Sequence, residues 1–143
     1  MAGDAAHEVA HGEGWAASHL DALGEGPGFR KVRQELGVEA FGVNGLVLPA
    51  GYETGRHFHE RQQEPYFVHR GTVEIEFDDG VRQRLGPGGL ARVDAATVRR
   101  LRNVGDEEAT LLITGGANGY VGRDGRAPDP DDPRFGPSSP PAA

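Results

Sequence analysis

The sequence predicts an all-β protein, a sandwich or a barrel built from short strands. From about residue 38 onward, runs rich in Val, Leu, Ile and Phe recur roughly every 8 to 12 residues, the spacing of strands in such folds. Turn-forming residues separate the runs, and the 143 residues include 23 Gly and 10 Pro, which favours many turns over long helices. Residues 72–77, "TVEIEF", alternate strictly between polar and apolar side chains, as expected of a strand with one face in a core.

The predicted strands follow one another between residues 38 and 116. The first, "VEAFGVNGLVL", covers residues 38–48 and ends at a Pro-Ala-Gly turn. "DDG" at residues 78–80 predicts a hairpin turn, and the Gly-Pro-Gly-Gly sequence at residues 86–89 ends the strand that follows it. The remaining predicted strands cover residues 65–71, 81–85, 90–95, 97–103 and 109–116.

A chain of this length predicts one domain. Residues 1–14 are small and polar and are expected to form a flexible N-terminal tail. Residues 15–122 are expected to form the barrel with an N-terminal arm, which contains a short helical turn near residues 18–23 and a Gly-Pro-Gly break at 26–28. Residues 123–143 hold six of the ten prolines and no apolar periodicity, so they are interpreted as a flexible C-terminal tail.

Composition excludes several classes of function. The net charge of −7 at pH 7 leaves no basic face for nucleic-acid binding. The absence of Cys excludes disulfides, thiolate nucleophiles and Cys-ligated zinc. No apolar run approaches the ~18 residues of a membrane span. No secretory signal is visible at the start of the sequence, so we expect a cytoplasmic protein.

The strongest functional signal lies in residues 51–71, "GYETGRHFHERQQEPYFVHRG". Because side chains alternate along a strand, His57 and His59 point to the same face and can share one cation. The next four residues suit a hairpin loop, which would return Glu64 beside the histidines on a partner strand. The same alternation places Glu64 and Tyr66 together on the inner face.

Two histidines and a carboxylate with open positions form the facial arrangement of non-haem Fe(II) enzymes, and the same set can hold catalytic zinc. Fe, Mn, Ni and Zn are therefore the candidate metal cofactors. The alternative from these residues alone is a pair of strand histidines hydrogen-bonded to Glu64 without a metal. His69 falls on the outer face and is interpreted as a surface or interface residue.

The spacing of this segment resembles the first motif of the cupin family, and reads Gly51-x5-His57-x-His59-x4-Glu64-x6-Gly71. The resemblance covers roughly residues 38–118 and implies a cupin double-stranded β-helix, a jelly-roll barrel with the site inside it. It also implies one divalent metal, held by these two histidines, the glutamate and a later histidine, and it implies a homodimer. Residues 94–103 and 115–126 further resemble small single-domain bacterial cupins, and the second stretch is interpreted as a turn and edge strand that close the barrel.

The later histidine is replaced by arginine in this chain. The second cupin motif falls in the register Gly88-x5-Asp94-x-Ala96-x2-Arg99-x3-Asn103, where other residues occupy the positions of the family's proline, second glycine and histidine. Arg99 cannot ligate a metal, because a guanidinium is always protonated and only donates hydrogen bonds. Alternation in "TVRRLRN" places Arg99 on the same face as Leu101, which favours an inward side chain.

Three arrangements of Arg99 stay open at this point. In the first it points to an anionic substrate beside a three-ligand metal site, in the second it pairs with Glu64 and replaces the metal, and in the third it faces outward. In the first arrangement Arg99 and Tyr66 would bind a small anionic molecule, and oxygenase or isomerase chemistry is compatible with an open metal position.

Two other classes of function remain open. One is a metal-free ligand-binding or sensory module, in which Arg99, Tyr66 and the two histidines line a pocket without chemistry. The other is an interaction domain that acts mainly as a dimer, with Phe67 and other outward apolar side chains at the interface.

Overall fold

The computed structural model describes residues 9–128, and nearly all of its regular structure is β. A 3₁₀ turn (Leu20–Ala22) and one short helix, α1 (Val32–Leu36), lie in the N-terminal arm. No helix in the described range is long and apolar enough to cross a membrane. The strands are β1 (Ala10–Gly12), β2 (Trp15–Ala17), β3 (Gly28–Arg30), β4 (Gly42–Leu48), β5 (Phe58–His59), β6 (Glu64–Arg70), β7 (Val73–Phe77), β8 (Arg82–Leu85), β9 (Leu90–Val93), β10 (Arg99–Asn103), β11 (Ala109–Gly115) and β12 (Gly125–Arg126).

Two antiparallel sheets supply the walls of the barrel. The first has five strands in the order β3-β4-β11-β6-β9, and the second has three in the order β10-β7-β8. Isolated bridges from Glu53 to Arg102 and from His57 to Arg99 extend the second sheet toward the segment that precedes β5. The all-β, jelly-roll fold predicted from the sequence is confirmed.

Strand β7 shows why the strict alternation in the sequence is informative. Val73 and Ile75 are fully buried, while Glu74 and Glu76 lie on the other face and form ion pairs with arginines of β8 and β10. The turn predicted at residues 78–80 does connect β7 to β8. The inner faces of the two sheets together bury a core of Leu46, Leu48, Tyr66, Val68, Val73, Ile75, Val93, Leu101, Ala109 and Leu111.

The glycine that closes the first motif, Gly71, connects β6 to β7 in a conformation that other residues rarely adopt. Its φ is +81°, and a Cβ added there would lie 2.8 Å from Ala109 Cα. Both constraints require glycine at this turn. Gly51 has a similar φ of +77° but open space around it, so only its backbone conformation favours glycine.

Strand pairing differs from the sequence prediction at β5. The expected hairpin between β5 and β6 is wrong, because β5 pairs with β12, with His59 opposite Gly125. The backbone N–H groups of Arg61 and Gln62, within the expected loop, donate to the Asp124 carboxylate. The side chain of Asp124, which is distant in the sequence, therefore fixes the conformation of this loop. The loop connects one sheet to the other.

The ends of the described range carry strands as well. Residues 10–17, partly inside the predicted N-terminal tail, form the antiparallel pair β1–β2. Strand β12 lies beyond residue 122, where the barrel was expected to end. The rest of the predicted tails, residues 1–8 and 129–143, lies outside the described residues.

Candidate metal centre

The three predicted ligands are brought together by two different parts of the barrel. His57 is fixed by a pair of backbone hydrogen bonds with Arg99 of β10, each 2.9 Å long. His59 lies on β5, and Glu64 begins β6. Alternation along β6 then buries Tyr66 next to Glu64 and leaves Phe67 on the outside. The structure therefore places these side chains on a shared inner face, as predicted.

The candidate ligand atoms of His57, His59 and Glu64 all lie within 4.8 Å of one another. The two imidazole rings meet edge to face, with centroids 5.3 Å apart. The side chains of His59 and Glu64 are only 11% and 13% exposed. The group is therefore a compact, nearly enclosed set of two imidazoles and one carboxylate.

Glu64 Oε1 accepts hydrogen bonds from three directions. The donors are Tyr66 OH at 2.9 Å, Arg99 Nη2 at 3.2 Å and, when His59 is protonated, its Nε2 at 3.2 Å across the site. Burial alone would raise the pKa of Glu64, yet the hydrogen bond from His59 and the charge of Arg99 hold this pKa below its usual value. Glu64 is thus an ionised acceptor at the centre of the group.

Arg99 points inward and its side chain has no exposed surface. Its Nε donates to Tyr66 OH at 3.2 Å, and its Nη1 donates to Thr97 O at 2.8 Å. The outward arrangement is therefore excluded, and the pairing with Glu64 is the arrangement observed. Burial and the nearby Glu64 charge raise the pKa of Tyr66, so its phenol stays neutral and keeps its hydrogen for Glu64.

The two histidines differ in their electrostatics. Burial, followed by the charge of Arg99, lowers the pKa of His57 to about 4. Burial also acts to lower the pKa of His59, but hydrogen bonds to Glu64 and Asp124 outweigh it and raise that pKa above its ordinary value. His57 is therefore a neutral imidazole at neutral pH, whereas the two carboxylates beside His59 favour its protonated form.

The sequence interpretation missed Asp124, which lies in the segment assigned to the C-terminal tail. Its carboxylate Oδ1 is 2.8 Å from His59 Nδ1, and the residue is only 6% exposed. Burial would raise the pKa of Asp124, but hydrogen bonds from Gln62, His59 and two backbone N–H groups hold it well below the usual range. No local pattern signals this role, because Asp124 stands among glycines and arginines with no alternation.

The residues present fit a divalent metal ion. Ligand atoms bound at about 2.1 Å lie about 3 to 3.5 Å from one another, so small side-chain rotations would close this set around one ion. Arg99 is the opposing feature, since an ion about 5 Å from its guanidinium would be repelled by several kcal/mol at an effective dielectric near 20.

Two surface clefts lie away from this group. One is lined by Arg56, Glu76, Asp78 and Arg100 on the outer side of the second sheet. The other runs past Phe41, Gln63, Pro65 and the glycine-rich turn after β11. Neither cleft is lined by a predicted ligand.

Comparison with known proteins places the chain among similar barrels. A family model described as "Cupin domain" matches residues 46–115. No match is found among curated protein sequences. A sugar phosphate isomerase of the cupin superfamily from Silicibacter pomeroyi is 29% identical, with a TM-score of 0.57, over 61% of this chain and 57% of that one. The present chain thus spans little more than half of that protein.

Two further solved structures show the likeness in fold alone. A cupin protein from Bacteroides fragilis is 20% identical, with a TM-score of 0.58, over 68% of this chain and 80% of that one. A DMSP lyase from Ruegeria pomeroyi is 20% identical, with a TM-score of 0.56, over 65% of this chain and 45% of that one.

Proposed function

Because this chain belongs to the cupin superfamily, we propose that it binds one divalent metal ion inside the barrel through His57, His59 and Glu64. The observation that carries this proposal is the grouping of their ligand atoms within 4.8 Å. The low pKa of His57 supports it, because a ligand that stays neutral need not lose a proton to bind the ion. The donor set suits Fe, Mn, Ni or Zn.

The charge of the loaded site favours a small anion as substrate. Glu64 and Asp124 supply two negative charges, and Arg99 supplies one positive charge. A divalent ion in place of the second proton of His59 leaves the group with one net positive charge. A carboxylate or phosphate in an open coordination position would neutralise that charge, which is costly to leave in an enclosed site.

Arg99 and Tyr66 are the proposed substrate-side residues. Both now hold Glu64 Oε1, Arg99 at 3.2 Å and Tyr66 at 2.9 Å. When Glu64 turns to a metal, the Nη2 of Arg99 loses an acceptor and becomes available to an anion. A bound ion with open positions would supply Lewis-acid or redox chemistry, while Tyr66 would orient the substrate with its neutral hydroxyl. The sugar phosphate isomerase acts on an anionic molecule, in keeping with this substrate class.

Elemental analysis of untagged protein tests the metal. We expect one ion per chain in the wild type and none in the variant that combines His57→Ala with His59→Ala. His69→Ala is the matched control, since His69 is exposed on the outer face of β6. Unchanged stoichiometric binding in the double variant would show that the ion is held elsewhere.

A metal-free ligand-binding module is the second candidate, favoured by the ion pair between Arg99 and Glu64. Without a metal, a proton on His59 together with the charge of Arg99 would balance the charges of Glu64 and Asp124, so the group needs no ion to be neutral. Arg99→His distinguishes the two functions. A wild type without metal, together with one ion per chain in Arg99→His, would assign the protein to this second class.

Homodimerisation and a cytoplasmic location stay predictions. Phe67 is 37% exposed and its register partner Leu90 is 71% exposed, so β6 and β9 present apolar surface that a second chain would cover. Light scattering is expected to report a dimer for the wild type and a monomer for Phe67→Glu with Leu90→Glu. Val81→Glu, at another exposed apolar site, is the control. A monomeric wild type would contradict the dimer.

A further inference from the structure

Asp124 is held in place by groups far away in the sequence. Its Oδ2 accepts the backbone N–H groups of Arg61 at 2.7 Å and Gln62 at 3.0 Å. Its Oδ1 accepts the side-chain amide of Gln62 at 2.7 Å and faces His59 Nδ1 at 2.8 Å. Four groups therefore converge on one buried carboxylate, and one of them is a candidate metal ligand.

The main chain around Asp124 is fixed to the same segment. Its carbonyl oxygen accepts the backbone N–H of Glu60 at 3.2 Å. The next residue, Gly125, pairs with His59 in the β12–β5 ladder. The carboxylate consequently approaches His59 from a fixed direction.

This contact decides which nitrogen of His59 carries the hydrogen. A carboxylate lies at each ring nitrogen, but the contact of Nδ1 with Asp124 Oδ1, at 2.8 Å, is shorter than that of Nε2 with Glu64 Oε1, at 3.2 Å. Glu64 Oε1 also accepts from Tyr66 and Arg99, so the single hydrogen of a neutral His59 belongs on Nδ1, where it points to Asp124. In the neutral imidazole the lone pair then lies on Nε2. Nε2 is the nitrogen that faces Glu64, at 3.2 Å from its Oε1.

We propose that Asp124 is a positioning residue of the metal centre, which holds the His59 ring and keeps its Nε2 free of hydrogen for the ion. The inference rests on the proposed function, because the ion is the one that His57, His59 and Glu64 would bind. It also extends the centre beyond the barrel motifs, since the C-terminal segment supplies a group that the site needs. Carboxylates that hold metal-bound histidines in this way raise ligand basicity and fix ring orientation.

The Asp124→Asn variant tests whether Asp124 sets the hydrogen position on His59 or only anchors the C-terminal segment. The side chains have the same shape, but the amide offers one acceptor oxygen where the carboxylate offers two. The two backbone N–H groups of Arg61 and Gln62 retain that oxygen, which turns the NH2 group toward His59 Nδ1. Nδ1 must then accept, so the hydrogen moves to Nε2 and blocks the metal position.

Two measurements test the variant. Nitrogen-15 NMR of the metal-free protein in alkaline buffer, where the imidazole has lost its second proton, reports which His59 nitrogen carries the hydrogen. We expect Nδ1 in the wild type and Nε2 in Asp124→Asn. Titration with Zn(II) is expected to show an affinity roughly 10- to 100-fold weaker in the variant.

Arg126→Gln is the matched control. Arg126 lies on β12 opposite Phe58 and forms an exposed ion pair with Glu60 at 3.1 Å, and within the described residues its hydrogen bonds go to Glu60 and Gly125 and not to His59. This variant should keep both the wild-type tautomer and the wild-type Zn(II) affinity. An Asp124→Asn variant that keeps the hydrogen on Nδ1 overturns the inference, as does one that changes tautomer yet binds Zn(II) like the wild type.

The proposed metal binding and the proposed role of Asp124 can be contradicted independently of each other. A wild type that does not bind Zn(II) removes the proposed function, and the NMR measurement still tests whether Asp124 sets the His59 tautomer. A wild type that binds Zn(II) with the hydrogen of metal-free His59 on Nε2 keeps the function and overturns the role of Asp124.

Discussion

Arg99 Nη2 lies 3.2 Å from Glu64 Oε1, and the arginine side chain has no exposed surface. A buried ion pair of this kind is more costly to break than it was favourable to form, because removing one partner leaves the other charge buried without its counter-ion. Glu64 keeps the hydrogen bond from Tyr66 if Arg99 is lost, whereas within residues 9–128 Arg99 has no second carboxylate among its hydrogen-bond partners. The two residues should therefore respond unequally to substitution.

Replacing Glu64 alone should destabilise the protein more than replacing Arg99 alone. We expect Glu64→Gln to lower the free energy of unfolding by about 3 kcal/mol, since it leaves a buried guanidinium unpaired. Arg99→Met combined with Glu64→Leu should cost less than the sum of the two single changes. Urea unfolding in the presence of a chelator measures all of these values. Additive losses would mean that the pair is not coupled.

The lowered pKa of His57 predicts a loss of stability in mild acid. Because burial and Arg99 lower this pKa to about 4, from an ordinary value near 6.5, the unfolded chain binds the proton more tightly than the folded one. The contribution of His57 is therefore fully present above about pH 6.5 and is lost as the pH falls toward 4. The loss amounts to about 3 kcal/mol.

Denaturation of the metal-free wild type and His57→Gln at several pH values isolates this effect. The advantage of the wild type over the variant should shrink between pH 6.5 and 4 and stay constant below. His59 acts in the opposite direction in both proteins, because its pKa is raised, so the comparison removes its contribution. A pH-independent difference would contradict the assignment of His57 as a neutral buried imidazole.

The grouping of the three candidate ligands was predictable because it depends on local spacing. His57, His59 and Glu64 lie within eight positions of one another, and alternation along strands decides which face each occupies. The inward direction of Arg99 follows from the same rule, with Leu101 as its buried neighbour on β10. These predictions survive even though the pairing assumed for β5 was wrong, since the face of a side chain does not depend on its partner strand.

Asp124 could not be predicted because its partners are set by tertiary structure. It lies 62 to 65 residues from the groups it binds. Its neighbours are glycine and arginine, which carry no periodic signal for a strand, and β12 has only two residues. Composition correctly indicates a polar, turn-rich segment. The hydrogen bonds to the buried carboxylate of Asp124, however, form only when the barrel closes.

Two motif glycines with nearly the same backbone conformation should tolerate alanine unequally. Gly51→Ala meets open space and should cost about 1 kcal/mol, from the left-handed conformation alone. Gly71→Ala adds a contact of 2.8 Å with the backbone of Ala109, so we expect a loss of about 3 kcal/mol. Thermal unfolding of the two variants side by side measures the difference. Equal losses would mean that the turn after β6 shifts to admit the methyl group.

Asn103, one of the two positions at which the second motif is retained, should be required for the hydrogen bonds of its amide and not for its size. It is 1% exposed, its Nδ2 donates to Leu48 O at 3.0 Å and Glu107 O at 2.8 Å, and its Oδ1 accepts the N–H of Gly105 at 2.9 Å. Asn103→Ala leaves these groups without partners and should cost about 2 kcal/mol. Asn103→Asp has the same shape but directs a carboxylate at two carbonyl oxygens, so it should be less stable than the alanine variant at neutral pH.

Acid should partly restore Asn103→Asp. The facing carbonyls favour the protonated acid in the folded state, which raises the pKa of the introduced carboxyl above its unfolded value. The penalty is then complete above the folded pKa and disappears as the pH falls toward the unfolded one near 3.9. Urea unfolding of both variants at neutral and acid pH checks this, with Asn103→Ala correcting for the acid sensitivity of the rest of the chain. Equal stability of the two variants at neutral pH would mean that the donors of Asn103 contribute nothing beyond filling space.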